Sequence, residues 1–157
     1  MAQAGISTVG IKFGYALEST AGTKPSSFTM LNRINNIAGI DLSTEQIDAS
    51  ALEDYITRYI AGRQDAGGGD WAITVNITDE TIQEWETLIS TYYNRSSNSL
   101  AMWFEVWSPY LTKAYYVVAE PPKNIPMSEM GQNSLQTVEI TLSVNDFKGL
   151  DTAIEPS

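Results

Sequence analysis

The sequence predicts a mainly β protein of the α+β type, with an antiparallel β-sandwich or barrel-like core, one flanking α-helix and one long loop. Three observations support this fold class: several segments alternate apolar and polar residues, one segment carries a helical apolar stripe, and most connections are short and polar. The chain has 157 residues, so its length fits one domain over residues 1–157 with an adequate hydrophobic core.

Apolar alternation and short apolar runs predict about seven or eight strands. The regular alternations lie at 9–17, 72–78, 100–107 and 136–145, and the other runs lie at 28–31, 36–40, 113–120 and 124–130. Segment 100–107 is apolar on both faces, which is typical of a strand at the centre of a sheet or at an interface. Pro126 indicates that the strand at 124–130 is an edge strand or contains a bulge.

The first strand has one face with almost no side-chain volume. Gly10, Gly14 and Ala16 lie there, opposite a face of larger apolar residues. This pattern leaves two interpretations open. Either another backbone approaches the small residues closely, or their face points at solvent.

The predicted helix covers about residues 79–93. Thr78 or Asp79 is a suitable N-cap, and acidic residues in the first turn favour the helix dipole. The apolar stripe that would face the sheet consists of Ile82, Trp85, Leu88, Ile89, Tyr92 and Tyr93. This stripe indicates core packing against one face of the sheet.

The long loop covers residues 41–71 and is too long for a turn. It contains five apolar residues at helical spacing: Leu52, Tyr55, Ile56, Tyr59 and Ile60. They predict either a short helix packed on its own domain or an arm that a neighbouring subunit buries. Gly67, Gly68 and Gly69 near its end would form a hinge.

Charge and composition exclude several classes of function. The net charge is −10, and 11 acidic residues between Asp41 and Glu86 face only Arg58 and Arg63, which argues against tight binding to nucleic acid. The chain has neither Cys nor His, so disulfides, thiolate metal sites and His-based catalysis are excluded. We therefore predict no enzyme activity, no cofactor and no metal site.

The remaining sequence signals bear on location and on one alternative function. The chain shows neither a signal peptide nor an apolar segment of membrane-spanning length, so we expect synthesis in the host cytoplasm and no membrane segment. An aromatic cluster could form a platform for a glycan or a protein partner. Its members are Trp103, Trp107, Tyr110, Tyr115 and Tyr116.

The order of elements resembles the major tail tube proteins of long-tailed, siphovirus-type bacteriophages. The resemblance covers nearly the whole chain and rests on the run Ile47-Asp48-x-Ser50-x-Leu52, the run from Tyr59 to Gly67, the following strand and helix, and closing strands that reach Phe147. The family often has Thr where Ser50 stands. The order and spacing of these motifs carry the resemblance, because each motif alone is loose.

The resemblance implies a virion protein whose hexameric rings stack into a hollow tail tube that conducts DNA into the host. Its partners would be its own copies, tape measure and tail terminator proteins, and DNA that passes without tight binding. The loop would be an inter-subunit arm, with Leu52, Tyr55, Ile56, Tyr59, Ile60, Arg63 and Asp65 as contact residues. We expect Glu129 and Glu139 to face the lumen. The alternatives are a non-enzymatic β-sandwich binding module and the inner tube of a contractile tail or secretion-type system.

Overall fold

The computed structural model describes residues 5, 7–40, 43–48, 59–65 and 69–157. Within these residues it confirms a mainly β fold with one helix. The elements are β1 (Lys12–Leu17), β2 (Thr29–Leu31), β3 (Ile34–Ile37), β4 (Ser43–Asp48), β5 (Tyr59–Asp65), β6 (Asp70–Asn76), α1 (Asp79–Tyr93), β7 (Met102–Trp107), β8 (Lys113–Glu120) and β9 (Thr137–Thr152).

Seven of the strands form one antiparallel sheet in the order β2-β1-β7-β8-β9-β6-β3. Its two edge strands, β2 and β3, follow each other in the chain and are separated only by Asn32 and Arg33. The sheet must therefore curve until its edges approach each other. Among the described strands, β2 and β3 do not pair, so the sheet is barrel-like without being closed by hydrogen bonds.

The main core fills the concave side of this curved sheet. The Phe13 ring stacks on that of Phe104 at a centroid distance of 5.6 Å, and its edge-to-face partner Trp71 lies 5.5 Å away. All three side chains are buried. Offset and edge-to-face aromatic pairs add stability beyond the area they bury, so these rings fix the relative positions of β1, β6 and β7.

Helix α1 has the bounds that the sequence predicts, and it closes one side of the core. Its N-cap Thr78 accepts a hydrogen bond from the Thr81 backbone, and the Thr81 hydroxyl accepts one from the Thr78 backbone, which completes a capping box. Trp85, Leu88 and Tyr92 of the predicted stripe are buried. The helix is therefore held by local caps and by one apolar face.

Two predictions about the C-terminal third are wrong. Residues 121–136, all of them described, form no strand, although 124–130 was expected to be one. Strand β9 in turn extends beyond the predicted end at 145 and reaches Thr152. Its first part pairs with β6 and its last part with β8, with two register shifts along β8. Such bulges bend a strand, which allows one long strand to serve both neighbours.

A C-terminal strap, defined here as residues 153–157, crosses the convex face of the sheet. It covers a second apolar cluster that contains Phe28, Trp103 and Tyr116. A Cβ added to Gly14 would lie 2.9 Å from Pro156 Cβ, so the strap packs directly on the backbone of β1. The small-residue face is therefore not exposed to solvent at Gly14, where the Pro156 side chain covers it.

Candidate assembly surfaces

The predicted arm contains a β-hairpin. Strands β4 and β5 pair antiparallel from Ser43 opposite Asp65 to Asp48 opposite Tyr59. Among the described strands, they pair with each other and not with the seven-stranded sheet. The hairpin continues from the β3–β6 pair, next to which the Ala38 backbone N–H donates a hydrogen bond to the Ala72 carbonyl oxygen. The chain thus leaves the sheet along β4 and returns along β5.

The predicted helix in the arm is wrong for Tyr59 and Ile60, the two residues of its apolar stripe that the structure describes. Tyr59 and Ile60 are the first residues of β5 and pair with Asp48 and Ile47, so their backbone is extended. Cross-strand pairing decides their conformation, whereas the helical spacing was a purely local signal. Arg63 also lies in β5.

Five of the predicted arm and hinge residues lie outside the described residues: Leu52, Tyr55, Ile56, Gly67 and Gly68.

Gly69 has a φ of +86°, a conformation that glycine adopts without steric cost. Its carbonyl accepts a hydrogen bond from the Val144 backbone. The predicted loop also extended too far, because Asp70 and Trp71 belong to β6 and Trp71 is a core residue. The sheet therefore resumes at Asp70, directly after Gly69.

An apolar cavity opens at the root of the hairpin, on the concave side of the sheet. Its volume is about 730 Å³, and its lining includes Ile11, Ile37, Ile40, Tyr115 and Phe147. Tyr115 is 44% exposed. The cavity therefore leaves apolar side chains open to solvent beside the hairpin.

The two candidate lumen residues lie near one another. Glu139 is exposed on β9, and Glu129 is exposed on the long connection before it. The Glu139 backbone donates a hydrogen bond of 2.9 Å to the hydroxyl of Ser128, the residue next to Glu129. The connection therefore runs beside β9 at this point and brings residues 129 and 139 close together in the fold.

The aromatic residues singled out in the sequence do not form one platform. Trp103 and Tyr116 are buried together in the second apolar cluster, with ring centroids 6.1 Å apart. Tyr115 points to the opposite face of β8 and packs against Phe147 at 6.2 Å. The alternation of side chains along β8 separates the two tyrosines, so the five aromatic residues do not share one face.

Glu105, a polar residue that no sequence motif singles out, lies inside the protein. Its side chain is 0% exposed, in the middle of the apolar strand β7. A single carboxylate inside the run Met-Trp-Phe-Glu-Val-Trp was the available signal, since Glu is almost never fully buried unless it has partners.

Two further findings concern metal sites and membrane helices in the described residues. Among them, no group of three or more acidic side chains is placed to share a metal ion. The helix found in this part of the chain does not have the length and apolarity required to cross a membrane.

Comparison with known proteins gives one informative result. No family model matches the sequence, and no curated protein matches it either. Among solved structures, a chain from the cryo-EM structure of the anti-feeding prophage (AFP) baseplate, six-fold symmetrised, aligns with a TM-score of 0.53 and 11% identity. The alignment covers 94% of this chain and 96% of that chain. The protein therefore shares its fold with a protein of a prophage baseplate.

Proposed function

We propose that this protein is a structural subunit of a phage tail, and that its hexameric rings stack into a hollow tube for DNA. The observation that carries the proposal is the β4–β5 hairpin, which pairs outside the seven-stranded sheet. The fold shared with a protein of a six-fold symmetrised prophage baseplate gives further support. The proposed role is non-enzymatic.

The hairpin needs a partner to be stable. An isolated two-stranded hairpin is marginally stable at best in water. Strand β4 has six residues, so the ladder would be about 20 Å long at roughly 3.4 Å per residue. We infer that a neighbouring copy packs against this arm, and that Leu52, Tyr55 and Ile56 supply the apolar contacts.

The exposed residues Glu129 and Glu139 suit the inner wall of such a tube because their carboxylates are negatively charged. Six copies would carry about −60, which is six times −10. Screening limits the reach of this charge to a Debye length of roughly 8 Å. DNA close to the wall would therefore be repelled and would pass without binding tightly.

The arm can be tested without removing it. We expect the triple variant Leu52→Ser, Tyr55→Ser, Ile56→Ser to remain folded but to form no rings or tubes, because the arm loses the apolar side chains that a neighbour would bury. Negative-stain electron microscopy and analytical ultracentrifugation measure assembly, and circular dichroism measures folding.

The matched control replaces the polar neighbours in the same segment: Glu53→Ser, Asp54→Ser and Thr57→Ser. This variant should assemble like the original protein. Normal tubes from the apolar triple variant would overturn the proposed role of the arm. A monomeric original protein that binds a glycan would instead favour the binding-module alternative.

A truncation gives a second test of the same arm. Because Ala38 and Ala72 are hydrogen-bonded across the β3–β6 pair, a two-residue Asn-Gly turn can replace residues 42–68 and leave Gly69 in place. We expect a folded monomer.

Immunogold labelling of assembled particles that contain the original protein would distinguish a position along a tube, inside a contractile sheath, or in a baseplate.

A further inference from the structure

Glu105 connects three parts of the protein beneath the C-terminal strap. Its Oε2 atom accepts a 3.0 Å hydrogen bond from the Ile154 backbone and lies 2.7 Å from the Tyr116 hydroxyl. That hydroxyl also lies 2.7 Å from the Thr152 carbonyl oxygen. Among the described residues, Glu105 Oε1 has no hydrogen-bond partner.

These distances require one more proton than an ionised Glu105 provides. The Tyr116 hydroxyl has a single proton, yet two acceptor oxygens lie at hydrogen-bond distance from it. If Glu105 is protonated, its Oε2 donates to Tyr116, and Tyr116 donates to Thr152. The unpartnered Oε1 is then a neutral carbonyl oxygen, which costs far less to bury than half of a carboxylate.

The charged groups around this network come from two other segments. The Lys24 ammonium donates to the Thr152 carbonyl oxygen at 2.9 Å, pairs with Asp151 at 3.4 Å, and lies 4.1 Å from the Tyr116 ring centroid. Burial raises the pKa of Glu105, whereas the hydrogen bonds from Tyr116 and Ile154 and the charge of Lys24 lower it, and burial dominates.

The strap that Glu105 contacts also makes polar contacts with other parts of the protein. The Ala153 backbone donates to the Thr112 carbonyl oxygen, and Glu155 pairs with Lys12 at 2.7 Å. After Pro156, the Ser157 N–H donates a hydrogen bond to the Phe28 carbonyl oxygen, and the Ser157 carbonyl oxygen accepts one from the Met30 N–H. Ser157 thereby covers the free edge of β2.

We propose that Glu105 is protonated in the folded protein and acts as a proton-dependent latch, so that its ionisation releases the strap at residues 153–157. If Glu105 is ionised, the single proton of the Tyr116 hydroxyl serves only one of its two contacts, to Glu105 or to Thr152, and a charge is buried beneath the strap. Release exposes the free edge of β2 and the second apolar cluster to solvent.

The direction of the pH effect follows from the two states. With the strap open, Glu105 is in water and has its ordinary pKa of about 4.3. With the strap closed, its pKa is raised. Closure is therefore favoured at low pH. As pH rises from the open-state pKa to the closed-state pKa, the equilibrium constant for closure falls by about tenfold per pH unit.

Hydrogen–deuterium exchange of the C-terminal peptide tests the latch. We expect the exchange rate of residues 153–157, corrected for the intrinsic pH dependence of exchange, to rise by up to about tenfold per pH unit within this window. In Glu105→Gln the corrected rate should not depend on pH, because the amide does not titrate. Glu86→Gln, which removes an exposed carboxyl on α1, should behave like the original protein.

Two outcomes would overturn the latch. One is a corrected exchange rate of the strap with the same pH dependence in the original protein and in Glu105→Gln. The other is ionisation of the Glu105 side-chain carboxyl at the ordinary pKa of Glu, measured by ¹³C NMR titration. This measurement needs no variant, so it remains informative if Glu105→Gln does not fold.

Discussion

The backbone of Gly14 passes directly beneath Pro156 of the strap. An added Cβ would lie 2.9 Å and 3.1 Å from two carbons of that proline and 3.2 Å from the Thr29 carbonyl oxygen. Distances this short require the strap or β2 to shift. The absence of a side chain at Gly14 therefore allows the strap to lie flat on the sheet.

We expect Gly14→Ala to lower the free energy of unfolding by about 1 to 2 kcal/mol, because overpacking outweighs the entropy that alanine removes from the unfolded chain. Urea denaturation measures the change. Gly39→Ala is the matched control, since no atom lies within 4 Å of a Cβ added there. Its effect should stay within about 0.5 kcal/mol. Equal effects of both substitutions would contradict this account of Gly14.

At the level of single elements, helix α1 has ends that depend mainly on the local sequence. Its start is fixed by the Thr78–Thr81 capping box. At its other end, Arg95 donates to the Tyr92 carbonyl oxygen at 2.9 Å, and its guanidinium lies 4.1 Å from the Tyr92 ring centroid. Burial, together with a hydrogen bond to Glu120, raises the pKa of Tyr92 to about 12, so this phenol is neutral at physiological pH.

The cap gives a prediction about the stability of this element. Thr78→Ala should reduce the free energy of unfolding by about 1 kcal/mol, because the Thr81 amide loses its acceptor. Thermal or urea denaturation measures the loss. Thr87→Ala serves as control: its hydroxyl donates to the Gln83 carbonyl oxygen on an exposed face, and its removal should change stability by less than about 0.5 kcal/mol. A loss as large in the control would show that capping is not the cause.

At the scale of the whole molecule, the proposed tube makes a prediction about charge. Glu129→Lys or Glu139→Lys changes the net charge from −10 to −8, since each reversal adds two. If these residues line the lumen, tubes of either variant should retain duplex DNA at low ionic strength and release it as salt rises. Cosedimentation of tubes with DNA measures the retention.

Glu86→Lys makes the same change in net charge on the exposed face of α1 and is the control for this experiment. It should leave DNA retention unchanged if the helix lies on the outer side of the ring. The same retention in all three variants would show that net charge matters and position does not. No retention in the variants at 129 and 139 would remove both residues from the lumen.

The sequence by itself determined the fold class, the bounds of α1 and the apolar character of both faces of segment 100–107, whose strand β7 the structure places between β1 and β8. These features depend on local signals, namely alternation, helical spacing and caps. It did not determine the extension of β9 to Thr152, the extended conformation of Tyr59 and Ile60, or the network around Glu105. Each of these depends on contacts with residues distant in sequence. A local pattern of apolar residues does not specify which distant strand supplies the hydrogen bonds, and only the tertiary structure decides that pairing.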